Sequence, residues 1–101
     1  MKTLNDLDPM LHQQLRLAII SVLVSVADAE FTFLKEKTGS TAGNLSVQLE
    51  KLSAAGYISI GKSFRNKRPL TTCRITPKGI RQFDAYVKSI QAYLQPRQGE
   101  G

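Results

Sequence analysis

Hydrophobic residues recur with a helical period over residues 40–52 (STAGNLSVQLEKL), and the prediction for the rest of the chain is organised around this stretch. Leu45, Leu49 and Leu52 lie at i, i+4 and i+7, so they share one helix face and are expected to point into a core. Ser40 or Thr41 is the predicted N-cap. The opposite face carries mostly small and hydrogen-bonding residues, namely Gly43, Asn44, Ser46, Val47, Gln48, Glu50 and Lys51.

A short apolar and basic segment, FLKEKTG, precedes this helix and ends on Gly39. Glycine readily ends a helix in a left-handed turn. A helix, a glycine turn and a capped helix are the layout of a helix-turn-helix. The alternative for this stretch alone is an amphipathic helix of any α-helical domain.

Two further helices are predicted at the ends of the chain. The first runs from about Pro9, with Asp8 as its cap, to Ala27, and its apolar positions cover more than one stripe. That surplus face favours a subunit interface, with the centre of the core as the alternative. The last helix runs from Thr76-Pro77 to about Tyr93 with apolar residues at helical spacing.

Between the helices, the period changes to the alternation of strands. Residues 57–64 (YISIGKSF) and 70–75 (LTTCRI) are predicted strands, with Ile58, Ile60 and Phe64 on the inward side of the first. They flank a turn at residues 65–69 that carries three cations. Residues 30–32 are a candidate short strand, and residues 33–38 a short helix capped by Thr32.

The predicted fold is therefore α+β and mostly helical. It is a winged helix-turn-helix with a two-stranded β-hairpin wing. We expect one domain over residues 1–94 and a disordered polar tail over residues 95–101.

The distribution of charge along the chain indicates a binding surface. The net charge is +6, and eight of the 14 basic residues lie between Glu50 and Asp84, a stretch without any acidic residue. Such sorting suggests a face that meets phosphate. The alternative is a merely basic surface.

Other classes of protein have little support. One cysteine, Cys73, and one histidine, His12, allow neither an internal disulfide nor an in-chain zinc site. No catalytic constellation or glycine-rich phosphate loop is present, so we predict neither an enzyme nor a cofactor. Residues 17–27 are apolar, but a membrane span needs roughly 20 residues. The first residues, MKTLNDLDP, do not resemble a signal peptide. We expect a reducing, cytoplasmic location and no membrane partner.

Double-stranded DNA is the partner that the pattern favours. The helix at 40–55 would enter the major groove, where asparagine and glutamine can read adenine and Val47 can pack on a thymine methyl. The basic turn would reach the backbone or the minor groove. The candidate DNA-binding residues are Thr41, Gly43, Asn44, Ser46, Val47, Gln48, Lys51, Lys62, Arg65, Lys67, Arg68 and Arg74.

Three stretches resemble the stand-alone winged-helix transcriptional regulators near the MarR, ArsR and PadR groups. LDPMLHQQLRLAIISVL resembles their opening helix, FTFLKEKTGSTAGNLSVQLEKLSAAGYI their helix-turn-helix, and KSFRNKRPLTTCRITPKGIRQF their wing and last helix. The resemblance covers about residues 7–94. It implies a homodimer through N- and C-terminal dimerisation helices, bound to a pseudo-palindromic operator. On these helices the expected dimer interface consists of Leu11, Leu15, Ile19, Val22, Phe83, Tyr86, Val87, Ile90 and Tyr93. We expect the protein to act as a repressor.

The chain also departs from these groups. It lacks the cysteine pairs of ArsR-type metal sensors, and MarR-type chains are longer, with helices that frame a ligand pocket. A small-molecule effector is therefore left open. Cys73 is either a redox switch or a small hydrophobic residue. The second function hypothesis is a winged-helix module that docks an acidic protein partner.

Overall fold

Four helices and a three-stranded sheet make up residues 7–94, which are the residues described by this structure, a computed structural model. Along the chain they are α1 (Gln14–Val26), β1 (Asp28–Glu30), α2 (Phe31–Thr38), α3 (Ala42–Ala54), β2 (Ile58–Arg65), β3 (Arg68–Ile75) and α4 (Pro77–Leu94). The predicted winged helix-turn-helix with a hairpin wing is confirmed. Residues 1–6 and the predicted tail at 95–101 lie outside the described residues.

Helix α1 begins five residues later than the sequence predicted. Asp8 does act as a local cap, because its Oδ1 accepts the amide two residues on at 2.8 Å, but this closes only a separate turn before the helix. Gln13 then adopts an extended backbone (φ −150°, ψ 132°), and its side chain accepts the Arg16 amide. The true N-cap is therefore Gln13, and the predicted start at Pro9 was wrong.

The short strand and α2 were predicted at shifted positions. β1 spans Asp28–Glu30 rather than residues 30–32, and α2 starts at Phe31 rather than at residue 33. Strand β1 exists because it pairs antiparallel with β3, in a register that sets Asp28 opposite Arg74 and Ala29 opposite Cys73. This pairing joins residues more than 40 positions apart, so no local pattern fixes its bounds.

The wing is the β2–β3 hairpin of a sheet ordered β1-β3-β2. Asn66 and Lys67 form its two-residue turn with φ of 52° and 66°, which matches the twist of the flanking strands. Side chains alternate between the faces of a strand. The buried Ile58 therefore shares its face with Phe64, as the sequence predicted, yet the Phe64 side chain is 76% exposed. The hairpin extends beyond the core, so Phe64 is not an inward residue.

The core lies where α1, α2 and α3 meet the sheet. Leu45, Leu49 and Leu52 are at most 2% exposed, which confirms the predicted core face of α3. Helix α1 contributes Ile19, Ile20 and Leu23 to the same cluster. No helix within residues 7–94 is both long enough and apolar enough to cross a membrane.

Burial corrects part of the predicted dimer interface. Leu11 and Ile19 are completely buried, and Tyr86 is only 7% exposed, so these side chains belong to the chain's own core. They offer a second chain no surface unless the core opens. Phe83, Val87 and Ile90 are half-buried, and Tyr93 is 44% exposed. The surface that α4 has available for a partner therefore lies at positions other than Tyr86.

Candidate nucleic-acid interface

Helix α3 starts at a turn defined by backbone geometry and a side-chain cap. Gly39 ends α2 with φ of 67°, a left-handed conformation that glycine adopts without strain. Thr41 is the N-cap, because its hydroxyl accepts the Asn44 amide at 3.1 Å. The Ser40 hydroxyl instead lies 2.9 Å from that of Thr38 and ties the turn to the end of α2. Of the two predicted caps, Thr41 is the one that the structure has.

The outward face of α3 consists of side chains without bulk or charge in its first two turns. Thr41, Gly43, Asn44, Ser46 and Val47 are exposed, and Val47 is 50% exposed. Lys51 is exposed one turn further on. Exposed small residues let a helix backbone approach another surface closely, and the Asn44 amide group can both donate and accept hydrogen bonds.

Gln48 differs from its neighbours because another residue holds its side chain. An Arg16 guanidinium nitrogen donates to Gln48 Oε1 at 2.6 Å, and Arg16 Nε donates to the Met10 carbonyl at 2.7 Å. Arginine has no acceptor, so the Gln48 oxygen must face it and the amide NH2 is left for other partners. The NH2 group is therefore the freer half of the Gln48 amide, because Arg16 already occupies one of the two lone pairs of its oxygen.

Arg16 is a site residue that sequence reasoning missed. It lies in α1, it is separated from Gln48 by 32 residues, and it connects the turn before α1 to α3. The only sequence signal is one charged residue before an otherwise apolar run, which resembled a family feature but had no assigned partner.

The wing cations fall into two sets. Arg65 pairs with Glu30 at 2.8 Å, and Arg74 pairs with Asp28 at 3.0 Å. Among residues 7–94, Lys62, Lys67 and Arg68 are exposed and form no ion pair. Residues 51–83 contain no acidic residue, but β1 brings the carboxylates of Asp28 and Glu30 next to two of their arginines at the edge of the sheet.

Glu30 has an evident electrostatic role at the base of the wing turn. Arg65 and Arg68 lie directly opposite each other in the hairpin, where like charges repel. The Glu30 carboxylate offsets that repulsion. Exposed ion pairs of this kind contribute at most about 1 kcal/mol, so Arg65 can exchange its carboxylate for another anion at little cost.

Helix α3 and the wing border one cleft. Ser46, Leu49 and Glu50 of α3 line a cleft of about 80 Å³ together with Ile60, Lys62 and Thr71 of the hairpin and Phe31 of α2. The wing face that carries Ile60 and Lys62 is therefore the face that looks toward α3. Lys62 and the exposed residues of α3 therefore flank the same side of the molecule, whereas Arg68, directly opposite Arg65 in the hairpin, starts from the other face of the wing.

A separate polar cluster joins the turn before α1 to α4. His12 Nδ1 lies 2.9 Å from the Tyr86 hydroxyl, and the Tyr57 hydroxyl donates to the Asp8 carboxylate. Gln82 Nε2 donates to the Tyr57 hydroxyl at 3.4 Å. Burial, reinforced by the hydrogen bond to Asp8, raises the pKa of Tyr57 to about 12. These contacts fix α4 against the domain and lie apart from α3 and the wing.

Cys73 is a core residue of β3 rather than a switch. Its side chain is fully buried, and this burial raises the pKa of its thiol to about 11. A neighbouring cation lowers the pKa of a thiol, but Arg74, next in sequence, points to the other face and pairs with Asp28. The thiol is therefore both inaccessible and protonated at neutral pH, which contradicts the redox-switch hypothesis.

The chain matches a known protein family over most of its length. A sequence model described as "Winged helix DNA-binding domain" matches residues 15–94, which include every helix and strand described above except the first residue of α1. This chain belongs to the winged helix DNA-binding domain family. An uncharacterized protein of Methanocaldococcus jannaschii is 37% identical over 75 residues, which cover 74% of this chain and 82% of that protein.

Solved structures share this winged-helix fold. A transcriptional regulator homologue from Pyrococcus horikoshii superposes with a TM-score of 0.79 at 26% identity, covering 84% of each chain. A MarR-family transcriptional regulator from Silicibacter pomeroyi has a TM-score of 0.64 at 16% identity, and the match covers 90% of this chain and 63% of that one. The second likeness supports the fold alone.

Proposed function

We propose that this winged helix chain is a transcriptional regulator that binds double-stranded DNA sequence-specifically as a homodimer. The observation that carries the proposal is the cleft between α3 and the wing, because it sets the small polar face of α3 beside the unpaired cation Lys62, with the basic tip of the wing beyond it. Similarity to the regulator homologue of Pyrococcus horikoshii supports the same assignment.

In this proposal α3 lies in the major groove. Asn44, whose exposed amide can donate and accept, reads an adenine edge. Val47 packs on a thymine methyl, and Gly43 lets the first turn of the helix approach the bases. Gln48 uses its free NH2 to donate to an acceptor such as guanine O6 or N7, because its oxygen is held by Arg16.

Phosphate contacts come from both elements. Thr41, Ser46 and Lys51 on α3 and Lys62 at the base of the wing position the domain on the backbone. Lys67 and Arg68 reach the adjacent backbone or the minor groove from the tip. Arg65 and Arg74 join this set only by leaving their carboxylate partners, so we assign them a smaller share of the affinity.

The dimer forms through apolar surface of α1 and α4. Tyr93 and Leu94 at the end of α4 are 44% and 67% exposed, and the molecule extends 62 Å along its long axis but at most 24 Å across it. Packing two such ends together removes apolar area from water. A two-fold dimer presents two copies of α3, which fits a pseudo-palindromic operator. A dimer bound there excludes other proteins from that DNA, and we therefore propose repression.

A salt titration tests the DNA proposal. Binding is measured to a fragment from upstream of the coding region and to random DNA of equal length. For each tenfold rise in salt concentration, we expect the base-10 logarithm of the affinity to fall by about 0.9 for every phosphate that the protein contacts. The affinity for the upstream fragment should exceed that for random DNA by about 10³-fold. Arg68→Ala should flatten that slope by about one contact, whereas Arg81→Ala on α4 should leave it unchanged.

The results separate the two function hypotheses. A steep slope without preference would retain DNA as the partner and contradict specificity for that fragment. No binding even at low salt would refute the groove-reading role of α3. The module that docks an acidic protein would then be the better explanation of the basic face.

Sedimentation of a second variant pair tests the dimer. Tyr93→Glu places a charge on the exposed apolar end of α4, and we expect monomers with weakened DNA binding. Gln91→Glu adds the same charge at an exposed polar position of the same helix and should leave the dimer intact. Because both positions are exposed, neither charge should unfold the chain; a Tyr93→Glu protein that remains dimeric would refute this interface.

A further inference from the structure

Phe64 on the wing is the most exposed large hydrophobic residue within residues 7–94. Its side chain is 76% exposed, compared with 37% for Phe33 and 50% for Val47. It lies one position before the last residue of β2 and directly opposite Pro69 in the hairpin register. An aromatic ring in water at the tip of a hairpin has no packing role in the chain's own core.

The alternation of β2 determines where this ring points. Ile58, Ile60, Lys62 and Phe64 share one face of the strand, and Ile60 and Lys62 line the cleft that β2 shares with α3. Phe64 continues that face one step further toward the tip. It therefore projects on the same side as the helix that we propose lies in the major groove.

The charges around the ring indicate what it meets. Lys62 precedes it on the same face, Lys67 lies in the turn, and Arg68 opens β3. None of these three forms an ion pair among residues 7–94. The ring therefore has one unpaired cation on its own face, Lys62, and two more at the adjoining tip, of which Arg68 starts from the opposite face. An apolar side chain with cations beside it fits a partner with anionic walls and an apolar interior, which the minor groove provides between its phosphates and its stacked bases.

We propose that Phe64, with Pro69 beside it, is an apolar wedge that enters the minor groove, partly unstacks a base step and bends the DNA. Proteins that insert such a wedge kink the duplex by about 20–90°. The wedge rests on the proposed DNA-binding function. It adds to that function a preference for deformable pyrimidine–purine steps where the wing lands, without hydrogen bonds to those bases.

The test uses a duplex of about 30 base pairs, a length suited to bending measurements, that the wild-type protein selects from a random library. Energy transfer between dyes on its two ends reports bending. The fluorescence of 2-aminopurine at successive positions reports unstacking. We expect the wild type to bend the duplex and to raise the fluorescence at one step per half-site, under the wing.

Phe64→Ala should abolish both signals and weaken binding about tenfold, as for the loss of one stacked base, while the salt slope stays unchanged. Phe64→Leu should retain much of the bend, because leucine is also an apolar wedge. Phe33→Ala is the matched control. It removes the same ring from α2, where Phe33 borders Val22 and Val26 of α1 rather than the wing, and we expect wild-type bending.

The outcomes distinguish this inference from the proposed function. Wild-type protein that selects no duplex and shows no salt-dependent binding would overturn both. Salt-dependent binding with neither bending nor unstacking, or with signals that persist in Phe64→Ala, would overturn the wedge alone. Thermal unfolding of Phe64→Ala is expected at the wild-type temperature because the ring is exposed, so a loss of signal cannot be assigned to misfolding.

Discussion

We predict that Gly43, in the first turn of α3, favours DNA binding but lowers the free energy of unfolding relative to alanine at the same position. Glycine costs a helix about 0.5–1 kcal/mol relative to alanine. A β-carbon added at Gly43 meets no atom within 4 Å, so the protein itself has room for alanine. We therefore expect Gly43→Ala to raise the free energy of unfolding by up to about 1 kcal/mol.

DNA affinity should change in the opposite direction. The added methyl group stands on the face of α3 that we place against the bases, and holding the helix away from them weakens contacts that contribute about 1–3 kcal/mol each. The expected loss on the selected operator is about tenfold, which corresponds to 1.4 kcal/mol. Urea unfolding and a binding isotherm on the same preparation measure the two effects.

Gly79 in the first turn of α4 provides the contrasting glycine. A β-carbon there would overlap the Tyr57 carbonyl oxygen and lie 3.0 Å from Ile75 Cγ1. Overpacking of this kind costs about 1–3 kcal/mol and outweighs the gain in helix propensity, so Gly79→Ala should be destabilised. If Gly43→Ala gains stability and binds the operator as well as the wild type, the first turn of α3 does not approach the bases and the proposed docking is wrong.

Three other changes test the site and its surroundings. Arg16→Met should lower stability by about 1–2 kcal/mol and, because it frees the Gln48 oxygen, broaden base preference at one operator position in a selection experiment; an unchanged preference would contradict the orienting role. Glu30→Gln should change stability by less than about 1 kcal/mol, yet steepen the salt slope by up to about one contact as Arg65 is released; an unchanged slope would keep Arg65 off the phosphates. The pKa of Tyr57 rises from 10.0 to about 12 on folding, so its stabilising contribution is present below pH 10 and is lost as the pH rises to 12. Tyr57→Phe should flatten the fall of the unfolding free energy over that range, and a fall as steep as in the wild type would refute the assignment.

Local periodicity predicted the elements that have a strong local pattern. The leucines of α3 recur at helical spacing and are buried, and the alternation around Ile58 predicted a strand that the structure contains. The glycine turn before α3 was equally readable, because Gly39 adopts the left-handed conformation expected of it. In each case one short stretch carries the physical reason for its own conformation.

Contacts between distant segments were not predictable in this way. β1 depends on pairing with β3, and the ion pair of Glu30 with Arg65 depends on that pairing in turn. The hydrogen bond from Arg16 to Gln48 joins two helices whose packing is not encoded in either pattern alone. The predicted start of α1 was wrong for a related reason. Asp8 does cap a turn, but that turn does not continue into the helix.

The wing's two faces explain why its cations and its ring have separate roles. Arg74 and Arg65 lie on the face opposite Lys62 and Phe64, and β1 supplies that face with Asp28 and Glu30. Because side chains alternate, a slip of one residue in the hairpin would exchange the faces and bring the Phe64 position beside the β1 carboxylates. The two-residue turn at 66–67 fixes the register and prevents this exchange. The carboxylates therefore pair with two of the three arginines on the far face of the wing, Arg65 and Arg74, and the near face carries Lys62 and Phe64 on the side of the cleft that β2 shares with α3.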